Sequence, residues 1–105
     1  MLIELKDREG LEKMLGEKER VLLVCTTAGC PACRMSKPAL LSFAEENTVY
    51  AVSLDEHPAI ARALSVRSVP TVLLFEDGME KGRRVGAFNA GHLQRMLLGV
   101  PLGRL

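Results

Sequence analysis

The sequence predicts an α/β protein with a central mixed sheet of four to five strands and helices on both faces. Three observations lead there. Apolar runs of strand length alternate with segments that carry apolar residues at helical spacing. One run, Val21-Leu22-Leu23-Val24-Cys25, is continuous, as in a strand buried on both faces of a sheet. Asp77-Gly78 marks a tight hairpin turn, so an antiparallel pair joins an order that otherwise alternates β and α.

Each element has its own local reason. Leu2 to Leu5 is a short strand, and Asp7 can cap a helix to about Glu17 with Leu11, Met14 and Leu15 on one face. Arg20 to Thr26 is the buried strand. A helix follows the Cys30-Pro31-Ala32-Cys33 motif to about Asn47, with Met35, Leu40, Leu41 and Phe43 as its apolar contacts. Pro38 lies inside it, where the missing N–H should kink the axis. Thr48 to Leu54 is the next strand, and His57 to Leu64, with Pro58 in its first turn, is a short helix. Thr71 to Phe75 is a strand whose hairpin partner is expected over Arg83 to Phe88. A last helix starts near Asn89 with Leu93, Met96 and Leu97 on one side.

Composition narrows the function classes. A chain of 105 residues, 48% hydrophobic, suits one domain over 1–105 with one buried core. The formal net charge of +1, from 14 basic and 13 acidic residues, leaves no footprint for nucleic acid or an anionic membrane. The first residues carry Glu4 and Asp7 where a signal peptide would be apolar, and no stretch approaches the roughly 18 apolar residues of a membrane span. The chain reads as a complete cytoplasmic protein. Its three cysteines, with one close pair, do not make a structural disulfide framework.

Cys30 and Cys33 carry the chemistry. Three positions apart on a helix, they lie almost one turn apart on one face and can close and reopen a small disulfide. The first thiol follows a strand and a short Thr26–Gly29 loop, so it stands at a helix N-terminus. Unpaired backbone N–H groups and the positive end of the helix dipole favour the thiolate there. Cys30 is therefore the expected nucleophile, forming a mixed disulfide with a partner, and Cys33 the thiol that resolves it. Pro31 fits the first helical position, and Arg34 adds positive charge. The bland alternative is a helix-surface pair or a fixed disulfide.

The chain resembles the thioredoxin family over nearly its whole length. The resemblance rests on the element order, the CxxC after the second strand, and Pro38 eight residues beyond the first cysteine. It rests also on Val69-Pro70-Thr71, on Phe75-Glu76-Asp77-Gly78, and on Val85-Gly86-Ala87 before the last helix; the tail Gly99 to Leu105 lies outside it. It implies the thioredoxin fold and a thiol:disulfide oxidoreductase that reduces protein or small-molecule disulfides without bound cofactor. Disulfide-containing protein substrates, a thioredoxin-reductase-like electron donor and a monomer follow from the same resemblance. It also implies a cis Val69-Pro70 bond, where the residues alone suggest a trans proline opening a strand. Val69 would then pair with an extended substrate beside Cys30, with the Thr26–Gly29 loop as the opposite wall and Gly29, Pro31, Val69 and Pro70 as the substrate-binding residues.

Departures from the family pattern are specific. Gly29 stands where thioredoxins usually have tryptophan, which should leave that wall flatter and more polar. Pro31 directly after the first cysteine resembles the Cys-Pro-x-Cys of glutaredoxins, but the glycine pair with which those proteins hold glutathione is missing after Pro70. The family's buried carboxylate and its lysine neighbour are replaced by Val24 and Ala51. The resolving step should then rely on solvent to take the proton from Cys33. The competing function is a thioredoxin-fold binding module, or a metal- or cluster-bridging protein sharing Cys30 between two chains, without disulfide turnover. Zinc is disfavoured, because one CxxC with Cys25, His57 and His92 scattered elsewhere lacks a second ligand pair. Cys25 reads as core, with a third redox thiol as the alternative, the two histidines as surface residues, and the five methionines as core filler.

Overall fold

Five strands and four helices alternate in the computed structural model of the chain, which describes residues 1–99. They are β1 (Leu2–Glu4), α1 (Arg8–Leu15), β2 (Val21–Thr26), α2 (Pro31–Glu46), β3 (Val49–Ser53), α3 (Pro58–Leu64), β4 (Thr71–Glu76), β5 (Met79–Val85) and α4 (Ala90–Leu98). The strands form one sheet in the order β1-β3-β2-β4-β5. β3 runs parallel to β1 and β2, whereas β4 is antiparallel to β2 and to β5. The expected domain ran to Leu105; residues 100–105 lie outside the described ones. Among the described residues no helix is long and apolar enough to cross a membrane.

The period-2 alternation of each strand sorts its side chains into two cores. Leu23, Cys25, Val52 and Leu73 point to the face covered by Leu11 and Met14 of α1 and Ile60 of α3. Leu22, Val24, Val72 and Leu74 point to the face covered by Leu40 and Phe43 of α2 and Leu93 and Met96 of α4. Leu22, Leu23, Leu73 and Leu93 are fully buried. At about 1.5–3 kcal/mol for each such side chain, the sheet between two helical layers is the main source of cohesion.

Local signals act where expected at most ends. Asp7 caps α1 by accepting the Gly10 N–H at 2.8 Å. Asp77 and Gly78 both have positive φ, which a two-residue hairpin requires. A Cβ added at Gly78 would stand 2.8 Å from the Leu15 carbonyl oxygen, so this position is closed to larger residues. Helix α2 runs through Pro38 without a break.

Four expectations need correction. β5 occupies Met79–Val85 and not Arg83–Phe88, pairing with β4 from Glu76↔Met79 onward. As the outermost strand it is largely polar, Met79-Glu80-Lys81-Gly82, and lacks the apolar alternation by which a strand is recognised. Met35 is 76% exposed and Leu41 46%, because the inward face of α2 is set by Cys33, Ser36, Leu40 and Phe43. Met1 and Met79 are exposed as well, leaving Met14 and Met96 as the methionines that fill core. His92 is not merely a surface residue: its Nδ1 accepts the Asn89 N–H at 3.0 Å while Asn89 Oδ1 accepts the His92 N–H at 2.9 Å, closing a capping box at the start of α4.

Candidate active site

Cys30 is the N-cap of α2, with Pro31 in the first helical position. Its backbone is extended, so the chain turns from the loop into the helix at the sulfur itself. Cys30 and Cys33 are joined as a disulfide with their Cα atoms 5.2 Å apart. The Cys33 N–H donates to Cys30 Sγ at 3.1 Å, which makes the sulfur the cap of the helix. No acidic residue lies in the first turn to offset the positive helix end. Cys30 is half-buried and Cys33 is buried, so the two sulfurs differ in access from outside.

The second side of the site comes from the loop before β4. The Val69-Pro70 bond is cis, and the Val69 carbonyl oxygen lies 3.9 Å from Cys30 Sγ. Thr71 Oγ1 donates to the Ser68 carbonyl at 2.7 Å, and the Gly86 N–H donates to the Pro70 carbonyl at 2.8 Å. These bonds hold the loop from both ends. Gly29, Cys30, Pro31 and Cys33 are thus brought together with Val69 and Pro70 at one end of the sheet, and Gly29 has positive φ with open space beside it.

Two supports were not legible in the sequence. Ser36, buried on α2, donates to the Ala32 carbonyl at 2.9 Å and accepts the Phe88 N–H at 3.0 Å, tying the helix of the cysteines to the loop after β5. A serine between Met35 and Lys37 carries no local signal of such a role. Asp55 accepts the Ala28 N–H at 3.2 Å and the Ser53 hydroxyl at 2.5 Å, anchoring the loop before Cys30. The Ser53 hydroxyl first, and the Ala28 N–H next, hold its carboxyl below the usual aspartate range. A depressed folded pKa means that the anchor is fully present above the unfolded pKa and is lost as pH falls through the lower folded value. The protection of the Ala28 amide, its exchange rate taken relative to the intrinsic rate at the same pH, should therefore fall on acidification below about pH 4, and Asp55→Ala should show little protection at any pH. Protection indifferent to both would contradict the anchor.

Behind the disulfide a cavity of about 260 Å³ opens between α2 and the β1-β3-β2 side of the sheet. Val24 and Ala51 lie on its lining together with Cys33, Glu4 and Lys37. Small apolar side chains at Val24 and Ala51 leave room for solvent beside the inner sulfur, since a water occupies about 30 Å³. The third thiol lies elsewhere. Cys25 is completely buried on the opposite face of the sheet, and burial pushes its thiol up to about 12. It is inert at neutral pH. Cys25→Ser should leave turnover nearly unchanged, and alkylation of Cys25 should await unfolding; rapid labelling of the folded protein would contradict this placement.

Comparison with known proteins agrees with this geometry. The thioredoxin family model matches residues 2–98. A thioredoxin of Mycoplasma genitalium is 32% identical over 89 residues, covering 82% of this chain and 87% of that protein. The bifunctional thioredoxin reductase/thioredoxin of Mycobacterium leprae is 33% identical over 102 residues, covering 93% of this chain and 22% of that protein. Among solved structures, a mutant thioredoxin from Halobacterium salinarum superposes with a TM-score of 0.85 at 27% identity, covering 93% of this chain and 88% of that one.

Proposed function

The chain belongs to the thioredoxin family and is a thiol:disulfide oxidoreductase, and we propose that it reduces protein disulfides through reversible oxidation of Cys30 and Cys33. The observation that carries this reading is the placement of Cys30 Sγ at the cap of α2, bonded to Cys33 and 3.9 Å from a main-chain acceptor on Val69.

In the reduced protein the Cys33 N–H and the positive end of α2 favour an anionic Cys30 sulfur. An extended substrate segment pairs with Val69 beside Pro70, and Gly29 and Pro31 form the facing wall. The Cys30 thiolate attacks one substrate sulfur. The substrate S–S bond breaks, one substrate thiolate leaves, and a mixed disulfide forms. Cys33 then loses its proton and attacks Cys30 Sγ; the mixed disulfide breaks, the second substrate thiolate leaves, and the Cys30–Cys33 disulfide forms. Two electrons have passed to the substrate. Water in the cavity behind Cys33 takes the proton of the resolving thiol, a task that Val24 and Ala51 cannot perform.

An external dithiol or a thioredoxin-reductase-like protein returns the two electrons. The Mycobacterium leprae relative, whose name joins a reductase and a thioredoxin, supports that donor. We place the protein in the cytoplasm as a single-domain monomer without bound cofactor, where a reducing environment keeps Cys25 a thiol and recharges the pair. Turnover tests this reading. With excess dithiothreitol, a catalytic amount of the protein should accelerate reduction of a protein disulfide. Binding of the substrate without acceleration would instead mark a binding module.

A further inference from the structure

The acidic residues of the chain end at Glu80, whereas Lys81, Arg83, Arg84, Arg95 and Arg104 follow it. Arg83 is engaged: it donates to Glu80 at 2.8 Å and to the Leu64 and Ser65 carbonyls at the end of α3. Arg84 and Arg95 differ. Among the described residues no carboxylate pairs with either, and the Nε of each is buried without a hydrogen-bond partner. Both guanidinium groups bear on His92, whose pKa is lowered by its burial first and by these two charges next. The His92 Nδ1 accepts the Asn89 N–H, so the imidazole between them supplies no countercharge. Arg95 folds back toward the start of α4, where a Cβ built on Gly91 would stand 3.6 Å from its Nη1. With each Nε closed to solvent, the outer nitrogens of two cations without a countercharge are what an incoming carboxylate would meet.

The position of this cluster relates it to the disulfide. Arg84 Nη2 donates to the Ala87 carbonyl at 3.1 Å, laying the guanidinium over the loop that follows β5. The same loop holds the Pro70 carbonyl through the Gly86 N–H and is tied to α2 through Phe88 and Ser36. It borders the edge at which Val69 faces Cys30. Val85, 58% exposed, and the exposed Ala87 leave the surface open and not enclosed, which suits a passing polypeptide better than a small ion.

We propose that Arg84 and Arg95 form a docking site for an acidic segment flanking the disulfide of a protein substrate. The inference rests on the reading of the protein as a reductase of protein disulfides, and adds which substrates it prefers. Charges at the rim of an interface act chiefly on encounter and orientation, and they weaken as salt shortens the Debye length to about 8 Å at physiological ionic strength.

Three peptides with the same disulfide, flanked by glutamates, glutamines or lysines, test the site. At low salt the unmodified protein should give kcat/KM in the order acidic, neutral, basic, with about a tenfold span, and the span should shrink as salt is added. Arg84→Glu with Arg95→Glu should invert the order, and Arg84→Gln with Arg95→Gln should bring the ratio close to one. Each ratio is taken within one protein, so partial loss of folded material cancels. Equal rates on all three peptides, or an acidic preference untouched by the substitutions, would overturn the site. Failure to reduce any of the three would instead overturn the reductase reading beneath it.

Discussion

Cys33→Ser should stop turnover and accumulate a stable mixed disulfide between Cys30 and the substrate, whereas Cys30→Ser should stop turnover and trap nothing. Without Cys33 the first exchange still proceeds, but no second thiol is present to break the mixed disulfide. Without Cys30 the remaining sulfur is buried and sits deeper in the helix. Both losses should be at least about a thousandfold, since each removes an obligatory covalent step. Non-reducing electrophoresis of each variant with a protein disulfide reads the result directly. Equal trapping by the two variants would sink the assignment of roles.

Val24→Asp should have the next largest effect. Val24 is fully buried, on the lining of the cavity that reaches Cys33, and Arg34 and Lys37 are the cations on the same lining. Introducing a carboxyl there costs stability, on the order of 2 kcal/mol or more, because a polar group leaves water without an assured partner. Burial raises the folded pKa of such an acid above its unfolded value of about 3.9. The folded state then holds its proton more tightly than the unfolded state, so the added loss of stability develops as pH rises from the unfolded value through the folded one. Urea unfolding at several pH values measures this. The variant should also gain a carboxylate step in the pH profile of disulfide reduction, where the unmodified protein shows thiol titration alone. A carboxylate step already present without the substitution, and abolished by Glu4→Gln, would show that Glu4 on the cavity lining has taken the proton-accepting role.

The catalytic pair and the strand-loop-helix that presents it were legible because their signals are local. A buried apolar run, a short loop and a proline at N1 specify where Cys30 stands with little help from the rest of the chain. The Pro70 loop was legible only through resemblance, since nothing in Val69-Pro70-Thr71 by itself says which residue will face it across the fold. β5 was displaced because an edge strand need not alternate, and Glu80, Lys81 and Arg83 look like loop residues until β4 pairs with them. Ser36 and Asp55 were missed because their hydrogen bonds reach Phe88 and Ala28, partners distant in sequence. His92 was missed for a different reason, since its partner Asn89 is three residues away. The His92 cap is local, and an Asn-x-x-His at a helix start could have been read as a variant of the capping box. Met35 and Leu41 show the opposite error, apolar residues assigned to a core that the register of α2 turns away from them.

The central claim is that Cys30 and Cys33 deliver two electrons as a pair. The fully reduced protein should be mixed with an excess of a protein disulfide, quenched by acid, and its thiols counted by alkylation and mass spectrometry. The account predicts one Cys30–Cys33 disulfide formed for each substrate disulfide reduced, with Cys25 still a free thiol. Substrate reduction without formation of that disulfide, or its formation in a pair that includes Cys25, would contradict it.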